Sequence, residues 1–392
     1  MPAVHRRTVL KVGSLAALGF GVSCASKSAV RTVPTRPPIS LAPVDISWDR
    51  VIRTTVGLRP HRDSGFLLKA DKLDAKTLIH NYGHGGAGMS LSWGTGYLAA
   101  DLAMPHDDRR AAVIGCGAVG LTAARQLQRR GFDVTIYAMA IPPDTTSNMS
   151  LAGFTPTSGL VDSERRTPEW DAQFHRAADI AYRQLQLLAG AGYGVSWVYT
   201  YAPADEIHTP PAADANGRPA LEIGLVTRAD TLQPGEHPFA MKYAVRRAGL
   251  RIEPSIYLNA LMRDFLMFGG RIVIRKFDTP RDLMSLNESV IINCTGLGSR
   301  ALFGDEDLIP LKGQLVALVP QSEVDYATIG GSRKVPTTGI GIHMMPRSDG
   351  IILGGTAERG VWTMEPNEDE RRRVVEGHID LFTTMRRRSY PS

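Results

Sequence analysis

The sequence predicts an α/β protein of two lobes, a doubly wound Rossmann-like dinucleotide-binding lobe and a lobe built on a mixed or antiparallel sheet. Gly115-x-Gly117-x-x-Gly120 follows the apolar run Ala111-Ala112-Val113-Ile114 and opens an amphipathic stretch, Leu121 to Leu127, which is the strand-turn-helix setting that dinucleotide binding needs. Later segments such as Val195 to Tyr201 and Gln314 to Val319 are β-rich and alternate with helical periodicity. The chain has 392 residues, more than one average domain, and can bury a sizeable core.

Residues 1–30 read as a leader rather than as fold. His5-Arg6-Arg7-Thr8-Val9-Leu10-Lys11 has a twin-arginine pattern, and an apolar stretch, Val12 to Val22, precedes small residues around Cys24. The stretch falls short of the roughly 20 residues that span a bilayer, so no stable transmembrane span is expected. Export through the twin-arginine machinery, to the periplasm, the cell surface or the medium, is the expectation. Val22-Ser23-Cys24 resembles the end of a lipoprotein box, with Gly21 where a larger aliphatic residue is usual, and leaves lipid anchoring at Cys24 as an alternative. Residues 31–47, with Pro34, Pro37, Pro38 and Pro43, read as a linker. The formal charge is +6. The runs Arg371–Arg373 and Arg386–Arg388 are read as solvated faces, with no nucleic-acid partner. Cys116 and Cys294 each lie inside a nucleotide-fold motif, where a small buried thiol suffices, and no disulfide or metal site is expected.

From Trp48 the chain offers short strands at Val51–Pro60, Phe66–Lys69 and Thr77–His80, then a helix from Ser90 to Leu102 with Tyr97, Leu98 and Leu102 on one face. Pro105 to Arg110 is a polar break. Val134–Tyr137 is the second strand of the nucleotide fold. Pro168–Leu188 is a helix, Val195–Tyr201 a strand, Ile256–Phe268 a helix, and Arg271–Ile274 and Val290–Asn293 are strands. Gln314–Val319 and Gly350–Gly354 add sheet. The last helix starts near Pro366, with acidic residues in its first turn.

His80-Asn81-Tyr82-Gly83-His84-Gly85-Gly86-Ala87-Gly88-Met89-Ser90 is a second glycine-rich loop, too long and too flexible for a plain tight turn. Gly83 between His80 and His84, with the glycines that follow, forbids the stable helix that would make the two histidines metal ligands, so hydrogen bonding is their expected work. The strand at Val134–Tyr137 ends in Tyr137-Ala138-Met139-Ala140 without the acidic residue that holds a ribose in ordinary NAD sites.

The loop at 80–90 resembles a stretch that the D-amino-acid oxidase family carries near its C-terminal end, whereas Gly115-x-Gly117-x-x-Gly120 resembles the family's N-terminal fingerprint. The order is reversed, so the chain resembles a circularly permuted member, with its new join near residues 103–110. Gly57-Leu58-Arg59-Pro60, Ala152-Gly153-Phe154-Thr155-Pro156, Asn293-Cys294-Thr295-Gly296-Leu297-Gly298 and Pro310-Leu311-Lys312-Gly313-Gln314 continue the resemblance. It implies FAD as cofactor, an FAD lobe of residues 48–160 and 270–305, and a substrate lobe of mainly 161–269 and 306–385. It further implies that Gly115, Gly117, Ala118, Val119 and Gly120 hold the pyrophosphate, with Thr145, Thr146 and Ser147 near phosphate and flavin. Gly153, Phe154, Phe277 and Gly296 line the cofactor. Gly85, Gly86, Ala87, Gly88, Met89 and Ser90, with Arg59 beside them, cradle the flavin ring.

Arg59 matches the family arginine that clamps the substrate carboxylate, a role suited to a planar fork. Gly86 offers a carbonyl to the amine. Two family tyrosines are replaced here by Gly339 and His343, and His343 is expected to donate to the carboxylate in place of a hydroxyl. Ala87 replaces a bulkier aromatic, and Phe66 stands near where a further arginine is expected. The resemblance implies oxidative deamination of D-amino acids by hydride transfer to flavin N5, without a catalytic side-chain base, with oxygen as acceptor and a keto acid, ammonia and hydrogen peroxide as products. The alternatives are another flavin amine oxidase or dehydrogenase, of glycine, secondary-amine or D-aspartate type, and a flavin-binding protein without turnover.

Overall fold

Continuous apolar runs in the short strands turn alternate residues to the two faces of one sheet and so into two cores, and this sets the dinucleotide lobe. The computed structural model describes residues 36–385 apart from 152, 208–211, 214–216, 218–219, 222–223, 226 and 336–340. The leader, Cys24, Ala152, Gly339 and the Arg386–Arg388 run lie outside the described residues. In chain order the elements are β1 (Val51–Arg62), β2 (Leu67–Leu73), β3 (Lys76–Tyr82), α1 (Gly88–Ala103), β4 (Arg110–Ile114), α2 (Ala118–Gln128), β5 (Asp133–Ala138), α3 (Pro168–Leu188), β6 (Val195–Ala204), β7 (Asp230–Leu232) and β8 (Tyr243–Ile252). They continue with α4 (Pro254–Met267), β9 (Arg271–Ile274), β10 (Val290–Asn293), α5 (Gly298–Phe303), β11 (Leu308–Leu318), β12 (Tyr326–Ile329), β13 (His343–Arg347), β14 (Gly350–Gly354), β15 (Glu358–Arg359) and α6 (Glu368–Thr383).

The first sheet has six strands in the order β2-β3-β10-β4-β5-β9. From β3 to β9 all pairings are parallel, and only β2 runs antiparallel to its neighbour. Ala111, Val113, Val290 and Ile292 face the core shared with α1, α2, α3 and α4, whereas Ala112, Ile114 and Ile291 face a smaller core with Leu283, Leu286 and Leu302. Burial on both faces explains why these strands read as continuous apolar runs.

Helix α1 is buried nearly all round, from Met89 to Ala100. Glycine permits this: a Cβ on Gly94 would lie 1.8 Å from the Ala177 carbonyl oxygen of α3. Of the residues the sequence places on one face, Leu98 is buried and Leu102 exposed, while Ala99, Ala100 and Ala103 carry the burial of the C-terminal half of α1.

The second sheet has nine strands, in the order β1-β11-β14-β13-β12-β6-β8-β7 with β15 also on β11. Three elements therefore stand in other neighbourhoods than the sequence assigned. Strand β1, read as part of the FAD lobe, pairs along its length with β11 of the larger sheet. Helices α3 and α4, read with the substrate lobe, pack in the core under the six-stranded sheet. In each case the chain crosses between layers more often than a division by sequence segments can represent. Helix α6 starts at Glu368, after an Asn367 cap that accepts from the Asp369 and Glu370 N–H groups, two residues later than expected from Pro366.

The polar break after α1 is mostly exposed. The two ends of the described fold meet: the Tyr326 hydroxyl donates to the Ala42 carbonyl at 2.7 Å and lies 3.9 Å from Met385 Sδ. Near the same edge, Arg371 of α6 stacks over the Trp48 ring at 5.4 Å, and Arg53 of β1 pairs with Asp349.

Candidate active site

A cavity of about 1090 Å³ lies between the C-terminal ends of the parallel strands and one face of the nine-stranded sheet. The carboxyl end of a doubly wound sheet is where such folds bind ligands. Its wall gathers the two glycine loops, residues 57–60, the 295–298 turn and the sheet face carrying His343.

The dinucleotide end follows from β4. Gly115, with φ of +115°, and Gly120, whose added Cβ would fall 2.0 Å from the Gly115 carbonyl oxygen, allow the turn to fold back tightly enough for α2 to begin at the cavity wall. Gly117 caps α2 without a side-chain bond. Ser147 Oγ accepts from the Ala118 N–H at 3.0 Å, so this hydroxyl shapes the phosphate loop. Thr145 donates to Asn148 at 2.8 Å, and Thr146 lines the cavity beside it. At the far end Phe277 meets Tyr137 edge-on at 6.0 Å, and Arg275 stacks over Phe277 at 4.7 Å, on a wall that lacks the usual acidic ribose ligand at the end of β5. Gly296, at φ +56°, closes the cavity wall against Pro60. The Cys116 thiol is pushed up to about 12 by burial, and burial raises Cys294 as well, so neither offers a thiolate.

The glycine loop ends in α1, whose N-terminal N–H groups have no side-chain cap and whose first residues Gly88 and Met89 line the cavity. A free helix N-terminus carries partial positive charge and suits an anionic ring. Two other loop amides are committed within the protein: Gly86 N–H donates to the Ser158 carbonyl and Ala87 N–H to the His84 carbonyl, each at 2.9 Å. Of the cradle expected from residues 85–90, the Gly86 and Ala87 N–H groups are thus turned to partners within the protein. Gly85 has φ of +52°, and its Cβ would collide with the Gly159 carbonyl oxygen at 1.7 Å. Ser90 accepts from the Thr155 N–H at 2.8 Å and donates to the Gly153 carbonyl at 3.4 Å, tying the loop to the segment bearing Phe154. Phe154 packs on Tyr182 with 4.9 Å between ring centroids. His84 bonds Thr95 at 3.0 Å, stacks on Phe66 and is held neutral by burial at about 3, while His80 meets Asn293 at 3.2 Å. The two imidazoles have separate hydrogen-bonding partners and do not converge.

Arg59 stands on β1 with its side chain over the site. Its Nη1 donates to the Thr356 carbonyl at 3.2 Å. Burial lowers its pKa, and among the described residues no carboxylate pairs with it. Gly313, opposite Gly57 in the β1–β11 register, leaves the needed room: a Cβ there would lie 2.3 Å from Arg59 Nη2. Gly86 is adjacent, with its would-be Cβ 3.3 Å from Arg59 Cδ. Gln314 then fixes the turn, since its N–H donates to Thr356 Oγ1 at 2.7 Å and its side-chain amide exchanges two 2.8 Å bonds with the Asn367 backbone. His343 opens β13 on the cavity wall. Burial holds it down to about 4, helped by the neighbouring Arg59 and Arg373 guanidiniums, so its imidazole is neutral at neutral pH. Gly313 was quoted in the sequence only as part of Pro310-Leu311-Lys312-Gly313-Gln314, and Thr356 was not singled out, since neither can be seen to serve Arg59 until β1 and β11 are paired.

The cavity can therefore hold an extended dinucleotide along α2 and the glycine loop, with a carboxylate on Arg59 at its sheet end. This defines a flavin-site oxidoreductase. The family described as FAD dependent oxidoreductase (DAO) matches residues 27–102 and 110–390, and the chain belongs to it. The D-amino-acid oxidase of Rubrobacter xylanophilus is 28% identical over 258 residues, covering 66% of this chain and 72% of that one. The human D-aspartate oxidase is 26% identical over 275 residues, covering 69% and 74%. Glycine oxidase from Geobacillus kaustophilus shares the fold at a TM-score of 0.50 and 15% identity, over 72% of this chain and 81% of that one. The protein is a D-amino-acid-oxidase-like enzyme that uses FAD. Among the described residues no helix is long and apolar enough to cross a membrane.

Proposed function

We propose that the protein oxidatively deaminates D-amino acids, with oxygen as electron acceptor. The observation that carries this is Arg59, a desolvated guanidinium beside the glycine loop with no carboxylate partner among the described residues. A buried, unpaired cation is costly unless a ligand completes it. The flavin supplies a two-electron hydride acceptor when bound. Arg59 takes the substrate carboxylate through two charge-assisted bonds. The Gly86 carbonyl accepts from the amine, and neutral His343 donates its ring N–H to the carboxylate. With both ends of the α-carbon fixed, rate comes from alignment, and no side-chain base is required. Overall, amino acid, oxygen and water give keto acid, ammonia and hydrogen peroxide. Purified holoenzyme should release equal amounts of keto acid and peroxide from D- but not L-amino acids. Peroxide from glycine or secondary amines alone would move the assignment to those oxidases.

We also propose that the chain order is permuted and that the protein is exported. Supporting the first, the family match breaks between residues 102 and 110, where the polar break is exposed, and the ends near Ala42 and Met385 share Tyr326. Supporting the second, the Arg6-Arg7 leader is of the type that carries folded, cofactor-loaded proteins. Substituting both arginines by lysine should retain the protein in the cytoplasm.

A further inference from the structure

Strand β8 places two arginines side by side on opposite faces of the nine-stranded sheet, and only one is satisfied. Arg246 donates to Asp230 at 2.8 Å and stacks on Tyr199. Arg247, paired across the ladder with Thr200, points the other way and lines the cavity. Among the described residues it has no hydrogen bond or ion pair with any side chain. The remaining charged groups of the wall sort by position. Asp144 and Asp278 lie at the dinucleotide end, as do Arg275, bonded to Ser285 at 2.6 Å, and Lys276, paired with Asp278 at 2.6 Å. The sheet end thus holds two unpaired guanidiniums, Arg59 and Arg247, and among the described residues no acid.

We infer that Arg247 is a specificity residue for a second anionic group at the far end of the substrate, so that the preferred substrate is an extended dianion. The inference rests on the reading of Arg59 as the carboxylate clamp. Its length requirement comes from the sheet: β8 lies six strand steps from β1, which carries Arg59, in the order β1-β11-β14-β13-β12-β6-β8. That is roughly 29 Å along the sheet at about 4.8 Å per step. Arg59 leans along the sheet over Gly313 of β11, and two extended arginine side chains directed toward each other span on the order of 7 Å each at standard bond lengths, leaving a gap of about 15 Å. The side chains of aspartate and glutamate are too short to bridge it. An amino acid with a carboxylate, or another anion, on a longer chain fits, and Arg247 stays charged throughout the useful pH range.

The test is a binding measurement on the FAD-loaded enzyme, read from perturbation of the flavin absorbance, with α,ω-dicarboxylates from succinate to sebacate against monocarboxylates of equal length. The second carboxylate should tighten binding about tenfold or more at the longer lengths, as a charge-assisted bond does, and add little for succinate. Arg247→Gln should erase that gain while leaving monocarboxylate binding unchanged, and Arg247→Lys should keep part of it. No gain at any length in the unaltered enzyme, or a gain that survives in Arg247→Gln, would overturn the inference. Turnover plays no part in this assay, so a failure of the D-amino-acid assignment would show separately, as absence of keto acid and peroxide.

Discussion

Arg59 works because of what its neighbours lack. Gly313 has no Cβ to occupy the place of Nη2, and Thr356 offers only a carbonyl, so the guanidinium is oriented but not neutralised. Gly313→Ala should therefore displace the fork while leaving the flavin bound. We expect kcat/KM for amino acids to fall by about tenfold or more, with FAD content unchanged by absorbance, since small misplacements of a positioning group are costly. That Arg59 stands on the cavity wall is in keeping with the surrounding Gly57-Leu58-Arg59-Pro60 in the sequence. The place of Arg247 was not legible: Arg246 and Arg247 are alike in sequence, and only the strand register decides which of them faces the cavity. His343 was legible as a substituted position, but its neutral state depends on Arg59 and Arg373 coming from two distant elements.

Among the elements, α1 joins the flavin cradle to the core. It was legible as a helix, though it begins at Gly88, two residues earlier than Ser90, because the helix start itself is part of the site. Its small residues let it cross α3 and α2 at backbone contact. Gly94→Ala would drive a methyl into the Ala177 carbonyl, and overpacking of this kind costs about 1–3 kcal/mol or more. The melting temperature should drop by several degrees and FAD should be lost on heating before the unaltered protein loses it. The parallel strands β4, β5 and β10 were legible from apolar runs of the right length. The assignment of β1 to a lobe was not, because pairing with β11 is a long-range choice between two available sheets.

At the scale of the whole molecule, burial is the leading cause that lowers the pKa of four histidines among the described residues: His80, His84, held at about 3, and His343 and His378, each at about 4. His378 faces His343 and Arg373, and its Nδ1 bonds the Val374 carbonyl. In the unfolded chain these rings titrate near 6.5. Above that pH neither state binds the protons and stability is unaffected. As pH falls below about 6.5 the unfolded state takes up protons that the fold refuses, so stability declines toward pH 4. Thermal unfolding between pH 7 and pH 4 should show a falling melting temperature, and His378→Gln should flatten the slope. The meeting of both ends of the described fold at Tyr326 makes a second prediction. A chain opened within the exposed break near Pro105 and closed by a short linker from Met385 to Ala42 should fold and bind FAD. Failure to fold, with the linker lengthened as control, would contradict the proposed permutation.

The central claim is that Arg59 holds an amino-acid carboxylate for hydride transfer, and anaerobic bleaching of the bound flavin tests it most directly. D-amino acids should reduce the flavin of the unaltered enzyme and L-amino acids should not. Arg59→Ala, with its flavin still bound, should lose the reduction by about 100-fold or more, as expected when two charge-assisted bonds are removed. A flavin that D-amino acids leave oxidised, or one that Arg59→Ala reduces as fast as the unaltered enzyme does, would contradict the claim.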